Sequence, residues 1–310
     1  MGISFTLCII VSGILLIVLL TYLLNERSLF YHEDPRFTVP SPDEFMDPRV
    51  APVRINHGNS RAILCIHGYT SSPYIWEYVI ERANTEKYDL YAPLLPGCGT
   101  SPEDFTHSNF SQYLAQVVAL YTEIRASYDT VFVTGLSLGG TLTLRLAEYC
   151  EKHNIPKADG LCPISAPVFL SKRKHPPLFF IRYISWYTIS KSPSTSIDED
   201  HSTHTDNDSH WMGYNGTYPK QIYSIKLGLR ETRKGLKAIT SPILIIQDKN
   251  DKTVDYKNKH IIFEGVSSRR KEEFSTDLSD KIHTCHTLIV YDSSRDIVID
   301  KMFTFFASIH

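Results

Sequence analysis

Three stretches of this chain, 130–135 (TVFVTG), 160–165 (GLCPIS) and 242–247 (PILIIQ), are apolar at nearly every position. A strand with one wet face alternates apolar and polar residues. A strand buried on both faces does not, and such strands belong to parallel sheets covered by helices. The helices to cover them are present. Stretches 72–86, 109–127 and 141–154 carry helical patterns between the apolar runs, and 219–240 resumes one before the last run. Strand and helix alternating at this spacing predict an α/β fold with a mostly parallel central sheet and helices on both faces. Stretches 62–67 and 88–93 are further strand candidates. Stretches 50–55 and 62–67 flank His57-Gly58-Asn59-Ser60, which reads as a hairpin turn.

With 310 residues, one large domain with an insertion is a better expectation than two equal domains. The formal net charge of −2 leaves no basic footprint for nucleic acid, so no nucleic-acid partner is expected. The six cysteines are scattered without zinc-ligand spacing. Cys65 and Cys162 fall inside apolar runs, where a thiol behaves as a small buried hydrophobe.

The N-terminus differs from the rest. Residues 3–24 carry no charge, and a membrane span needs about 20 such residues. The expectation is an uncleaved single-pass anchor over 1–25. A proline-bearing tether over 26–50 follows, and then the α/β domain over 51–310. Arg27, Arg36 and Arg49 follow the span with nothing basic before it, which favours a cytoplasmic domain.

One junction between strand and helix stands out. Gly135-Leu136-Ser137-Leu138-Gly139 fits G-x-S-x-G where a strand ends and a helix begins. In that context the pattern reads as a nucleophile elbow. The turn is strained, and glycine at 135 and 139 removes side chains that would strike the neighbouring strand and helix. A nucleophilic serine needs an oxyanion hole, a base and an orienting acid. The stretch 63–72 (ILCIHGYTSS) ends a strand at His67-Gly68-Tyr69, so the hole is assigned to the N–H groups of Tyr69 and Leu138. His67, which precedes the serine, reads as structural. After the run 242–247 come Asp248, Asp251 and Asp255. Asp251 is favoured, because Asp248 abuts the strand and bonds its own turn. His260, His283 and His286 follow, and His286 is favoured over His283 as the base. Ser137, Asp251, His286 is the chain order of this type of triad. No cofactor is needed for that chemistry.

Taken together, these stretches resemble the α/β-hydrolases of the bacterial carboxylesterase and monoacylglycerol-lipase branch, over roughly residues 60–308. HGYTSSP (67–73), LLPGCGTSPED (94–104), the elbow and SPILIIQDKNDKTVD (241–255) carry the resemblance. Cys98 stands where the branch has histidine, Thr284-Cys285 where it has Ser-Gly, and 267–284 is longer than usual. The resemblance implies a serine esterase or lipase with a small helical cap over about 168–222. Such an enzyme would act on carboxylic or lipid-derived esters. A thioesterase, a peptidase or a non-catalytic binding protein on the same scaffold are the competing readings. Within the cap, the aromatic stretch 178–187 suits an acyl tunnel or ordinary packing. The acid- and histidine-rich stretch 198–210, in which His201, His204 and His210 could face a metal, reads as a solvated loop rather than a metal site.

Overall fold

The computed structural model describes residues 2–29, 34–171, 189–194, 206, 210–279, 282 and 284–309; for 2–4, 21–29 and 189–194 the description is of the backbone alone. In chain order the strands are β1 (Val53–Ile55), β2 (Arg61–Ile66), β3 (Asp89–Ala92), β4 (Thr130–Leu136), β5 (Gly160–Ile164), β6 (Ile189–Ser194), β7 (Gly213–Thr217), β8 (Ile243–Asp248) and β9 (Lys271–Thr276). The helices are α1 (Gly2–Leu29), α2 (Glu77–Thr85), α3 (Pro102–Thr106), α4 (Phe110–Ser127), α5 (Leu138–His153), α6 (Pro219–Gly235), α7 (Lys257–Gly265) and α8 (Arg295–Ala307).

Seven strands form one sheet in the order β1-β3-β2-β4-β5-β8-β9. Every pairing in it is parallel except β1 with β3. The apolar runs build two cores, one on each face. Ala62, Leu64 and Ile66 of β2 point into the core shared with α4, α5 and α6. Ile63 and Cys65 point into the core shared with α2 and α8. The same alternation divides Val131 and Val133 from Phe132 on β4, and Ile243 and Ile245 from Leu244 and Ile246 on β8. Each of these three strands therefore feeds two cores, which is why its sequence is apolar nearly throughout. Cys65 and Cys162 lie wholly buried in the second core, and burial pushes both thiols up.

Three expectations need correction. First, β1 and β2 form no hairpin. β2 has both edges occupied, by β3 and β4, so β1 pairs antiparallel with β3 instead. The turn that looked like a hairpin is captured by Asp89 at the start of β3. That carboxylate accepts from His57 N (3.0 Å), Asn59 N (3.2 Å), Asn59 Nδ2 (2.7 Å) and Tyr128 Oη (2.8 Å).

Second, the segment before the domain is not a loose tether where it is described. Val50 is fully buried, and Phe45 and Met46 pack on the first core. Met46 N donates to Gly99 O (2.8 Å) and Gln112 Nε2 to Arg36 O (2.9 Å). Apolar residues among the prolines give this strap something to bury, so it lies on the domain.

Third, the described part of the cap holds, besides α6, an antiparallel pair that the sequence did not announce, β6 with β7; residues 172–188, where the cap begins, lie outside the described residues. The aromatic stretch 178–187 lies outside the described residues. So do His201 and His204. At Asp206 and His210 the polar stretch is anchored rather than solvated. Asp206 accepts from Ser293 N (2.9 Å) and Ser293 Oγ (2.5 Å). His210 is buried and stacks on Tyr74, with ring centroids 4.2 Å apart.

The N-terminal stretch is helical, as α1. Its side chains over 5–20 include well-exposed apolar ones such as Phe5, Leu7 and Ile17. Among the described residues, no helix is long and apolar enough to cross a membrane, so the expected span over 3–24 has no support from them.

Candidate active site

The elbow lies between β4 and α5. Ser137 adopts φ 56°, ψ −118°, a conformation that costs an L-residue energy and persists only when its surroundings enforce it. They do so here on two sides. Ser137 N donates to Ile164 O of the neighbouring strand (2.8 Å), and Ser137 O accepts from Thr141 N (3.1 Å) in the first turn of α5. A Cβ on Gly135 would lie 2.2 Å from the carbonyl of Gly139, and one on Gly139 would lie 1.9 Å from Ile66 O. Both positions therefore exclude any side chain, and this is the steric demand that the spacing of the motif encodes. Ser137 is half-buried, while Leu138 and its successors are buried. Leu138 opens α5, so its N–H has no partner in the helix and points its partial positive charge toward the elbow.

The loop after β2 lies against the elbow. A Cβ on Gly68 would be 3.4 Å from Ser137 Cβ, which puts the Gly68–Tyr69 backbone within a residue's width of the serine. His67 beneath it is fully buried. Its Nδ1–H donates to Gly68 O (2.9 Å), and its Nε2 accepts from Leu95 N (3.0 Å). Both nitrogens are thus consumed in holding two loops together, with the ring neutral. Burial lowers its pKa from 6.5 to about 4, despite the opposing bond to Gly68 O. The side chain of Tyr69 packs edge-on against Phe105 (5.4 Å) and Tyr218 (6.5 Å), away from a role in proton transfer.

Beyond β8, Asp251 and His286 meet. His286 Nδ1 lies 2.9 Å from Asp251 Oδ2, with both residues buried. The other carboxylate oxygen accepts from Thr253 N and Val254 N, each at 2.8 Å. Gln247 Nε2 approaches Oδ2 at 3.4 Å and also donates to Val254 O. The carboxylate is thereby fixed in rotation and aimed at the imidazole. Nδ1–H donates to it, which leaves Nε2 as the acceptor. Ser165, at the end of β5, ties the histidine to the sheet: its Oγ donates to His286 O (2.9 Å), and its N to Ile246 O of β8 (2.8 Å).

The other candidates lie elsewhere. Asp248 accepts from Asn250 N (2.7 Å), Thr276 Oγ1 (2.6 Å) and Leu278 N (2.9 Å), so it ties its own turn to β9. Asp255 accepts from Lys257 N at the start of α7. His260 sits exposed on α7, 3.9 Å from Glu273. His283 lies outside the described residues.

Before the histidine, Cys285 takes φ 50°, which explains why the branch has glycine there. The cysteine is held by its own sulfur, whose S–H is within reach of Ser279 O (3.4 Å) and Ile282 O (3.6 Å). The longer stretch before it is partly spent on β9, an edge strand whose sequence, KEEFST, is too polar to have been read as one. Sequence reasoning also missed Ser165 and Gln247. A serine in an apolar run carries no signal of what it will touch.

The family model described as Hydrolase_4, serine aminopeptidase S33, matches residues 58–278, and the chain belongs to that family. It is similar to the thermostable monoacylglycerol lipase of Bacillus sp. (strain H-257), 29% identical over 245 residues, covering 79% of this chain and 90% of the relative. It is also similar to a carboxylesterase of Bacillus subtilis (strain 168), 22% identical over 251 residues, covering 80% and 93%. Among solved structures, a metagenome-derived lipolytic enzyme aligns with a TM-score of 0.69 at 23% identity, covering 84% of this chain and 98% of the other. A soluble variant of the Saccharomyces cerevisiae monoglyceride lipase aligns at 0.64 and 15%, covering 90% and 100%. The protein has the α/β-hydrolase fold and is a hydrolase of the lipase and esterase kind.

Proposed function

We propose that this family member is a serine hydrolase of carboxylic esters, working through Ser137, His286 and Asp251. The single observation that carries the reading is the buried Asp251–His286 pair at 2.9 Å; it is supported by a serine held at φ 56° on a glycine-flanked turn. A serine is kept in that conformation where its hydroxyl must stand clear of the sheet.

In this mechanism Ser137 Oγ attacks the ester carbonyl carbon while His286 Nε2 takes the hydroxyl proton. The carbonyl oxygen becomes an oxyanion held by the N–H groups of Tyr69 and Leu138. The C–O bond to the alcohol then breaks, and the alcohol leaves with the proton from His286. Water attacks the acyl-serine by the same route in reverse, with His286 again as base, and frees the acid. Asp251 holds the imidazole in the Nδ1–H tautomer and stabilises its charged form. Losing one oxyanion donor costs roughly 100- to 1000-fold in rate.

The substrate class is a lipid-derived ester such as a monoacylglycerol. The monoacylglycerol-lipase relative, aligned over most of both chains, supports this, and the uncharged stretch 3–24 is read as an N-terminal contact with lipid. Aryl esters of increasing acyl length, assayed on the wild type and on Ser137→Ala, test the chemistry. Loss of all hydrolysis in the variant, with decanoyl esters turned over better than acetyl esters, is the expected result. Wild-type activity only on an aminoacyl amide or a thioester would replace the ester reading. Partition of the full chain into a detergent phase, lost when residues 1–25 are removed, tests the anchor.

A further inference from the structure

We infer that the cap strand β7 belongs to the oxyanion machinery, with Gly213 and Tyr214 acting as positioning residues for the loop that carries the Tyr69 N–H. The inference rests on the ester-hydrolase reading above.

Thr70, the residue after the proposed donor, has φ 55°. For a β-branched residue that is an outlier, one that persists only where its surroundings hold it. The turn itself holds part of it, with Ser71 N donating to Gly68 O at 3.3 Å; the cap adds two contacts, both on one atom. Tyr214 N donates to Thr70 O at 3.0 Å. Gly213 presses on the same carbonyl so closely that a Cβ there would lie 1.7 Å from the oxygen. The backbone of β7 is thus seated directly on the oxyanion loop, and glycine is the residue that permits it.

The side chain of Tyr214 extends the hold to the second loop. Its hydroxyl accepts from Thr100 N at 2.7 Å, and its ring lies 5.7 Å from that of Phe105. Thr100 belongs to the 94–104 loop, which reaches back to the oxyanion strand through Leu95 N and His67 Nε2. Tyr214, 1% exposed, therefore closes a ring of contacts: cap strand, oxyanion loop, His67, 94–104 loop, cap strand. Upstream, the same cap segment is pinned at Asp206 by Ser293 and at His210 by Tyr74. The end of the cap that touches the hole is therefore anchored just upstream of its contact with Thr70.

A donor that stabilises an oxyanion must be placed to within about 0.5 Å. Displacing Thr70 tilts the peptide next to Tyr69 and weakens a contact made only when negative charge develops. Such a loss lowers kcat and leaves KM nearly unchanged.

The test uses the full chain with Tyr214→Phe and Gly213→Ala. Reactive sites are first counted by titration with a fluorophosphonate. Per-site kcat and KM are then measured on an aryl butyrate, with inhibition by a trifluoromethyl ketone of matching chain, whose adduct carries the oxyanion. The expected result is a fall in per-site kcat of roughly tenfold or more, with KM within roughly threefold and ketone affinity falling in step with kcat/KM. Fewer titratable sites that each keep wild-type kcat would mean that β7 only stabilises the fold, and would overturn the inference. So would a loss confined to KM. If Gly213→Ala yields no folded protein, Tyr214→Phe decides: it keeps the ring and the main-chain bond and removes only the Thr100 N partner that ties the two loops, so a per-site kcat within roughly twofold of wild type would overturn the inference. A wild type that neither labels nor hydrolyses more than Ser137→Ala overturns the hydrolase reading itself, and the inference with it.

Discussion

His67 makes the stability of this domain depend on pH in a way that the geometry defines. Its Nε2 accepts the Leu95 N–H at 3.0 Å. A proton there would set N–H against N–H in a fully buried site. The folded pKa is accordingly lowered, by burial, from 6.5 to about 4. The unfolded chain then binds the proton more readily than the folded one between those values, and stability rises with pH wherever the unfolded state holds more protons. His67 costs nothing well above pH 6.5. Stability is lost as pH falls below 6.5, by about 2 kcal/mol at pH 5 and about 3 kcal/mol once pH passes 4.

The perturbation that isolates this group is His67→Gln, whose amide oxygen can accept from Leu95 N–H and has no proton to gain. Urea unfolding at pH 7.5 and pH 5.0, for wild type and variant, is the assay. Every other titrating group contributes to both proteins alike. The wild type should lose about 2 kcal/mol more than His67→Gln over that interval, a difference of roughly 1 M in midpoint. Equal losses in the two proteins would refute the argument, because they would mean that His67 either accepts a proton where it sits or swings out to water.

Asp251→Asn should lower kcat on an aryl ester by roughly 10⁴-fold with little change in thermal midpoint, because the amide favours the wrong imidazole tautomer. Gly139→Ala drives a Cβ to 1.9 Å from Ile66 O; it should destabilise by several kcal/mol and abolish soluble folded protein, as read by circular dichroism. Asp89→Ala strips the partner from four donors; unfolding should show about 3 kcal/mol lost, with per-site kcat within roughly twofold of wild type. Burial raises the Asp89 carboxyl, but the hydrogen bonds from His57, Tyr128 and Asn59 outweigh it and leave the pKa lowered. Its contribution is therefore present above the ordinary carboxylate range and lost as pH falls through the folded value.

The strands 130–136, 160–164 and 243–248 and the helices between them were legible in the sequence because each is encoded by consecutive residues. An apolar run that must feed two cores looks the same in any protein, and so does a turn with room for no Cβ at 135 and 139. The pairing of Asp251 with His286 was anticipated only by chain order; the 35-residue separation is closed by β8, β9 and the Ser165 bond to His286 O. β9 and β1 show the limit. KEEFST becomes a strand only because β8 offers a free edge, and β1 turns to β3 only because β2 has none. Edge availability is a property of the whole sheet. The same holds for Gly213 and Tyr214, whose neighbours in the chain carry no hint of Thr70. Local periodicity and steric demand determine which segments become strand, helix or elbow. Which of them meet is decided in three dimensions, where burial of one segment leaves a carbonyl, an edge or a cavity that only a distant residue can fill.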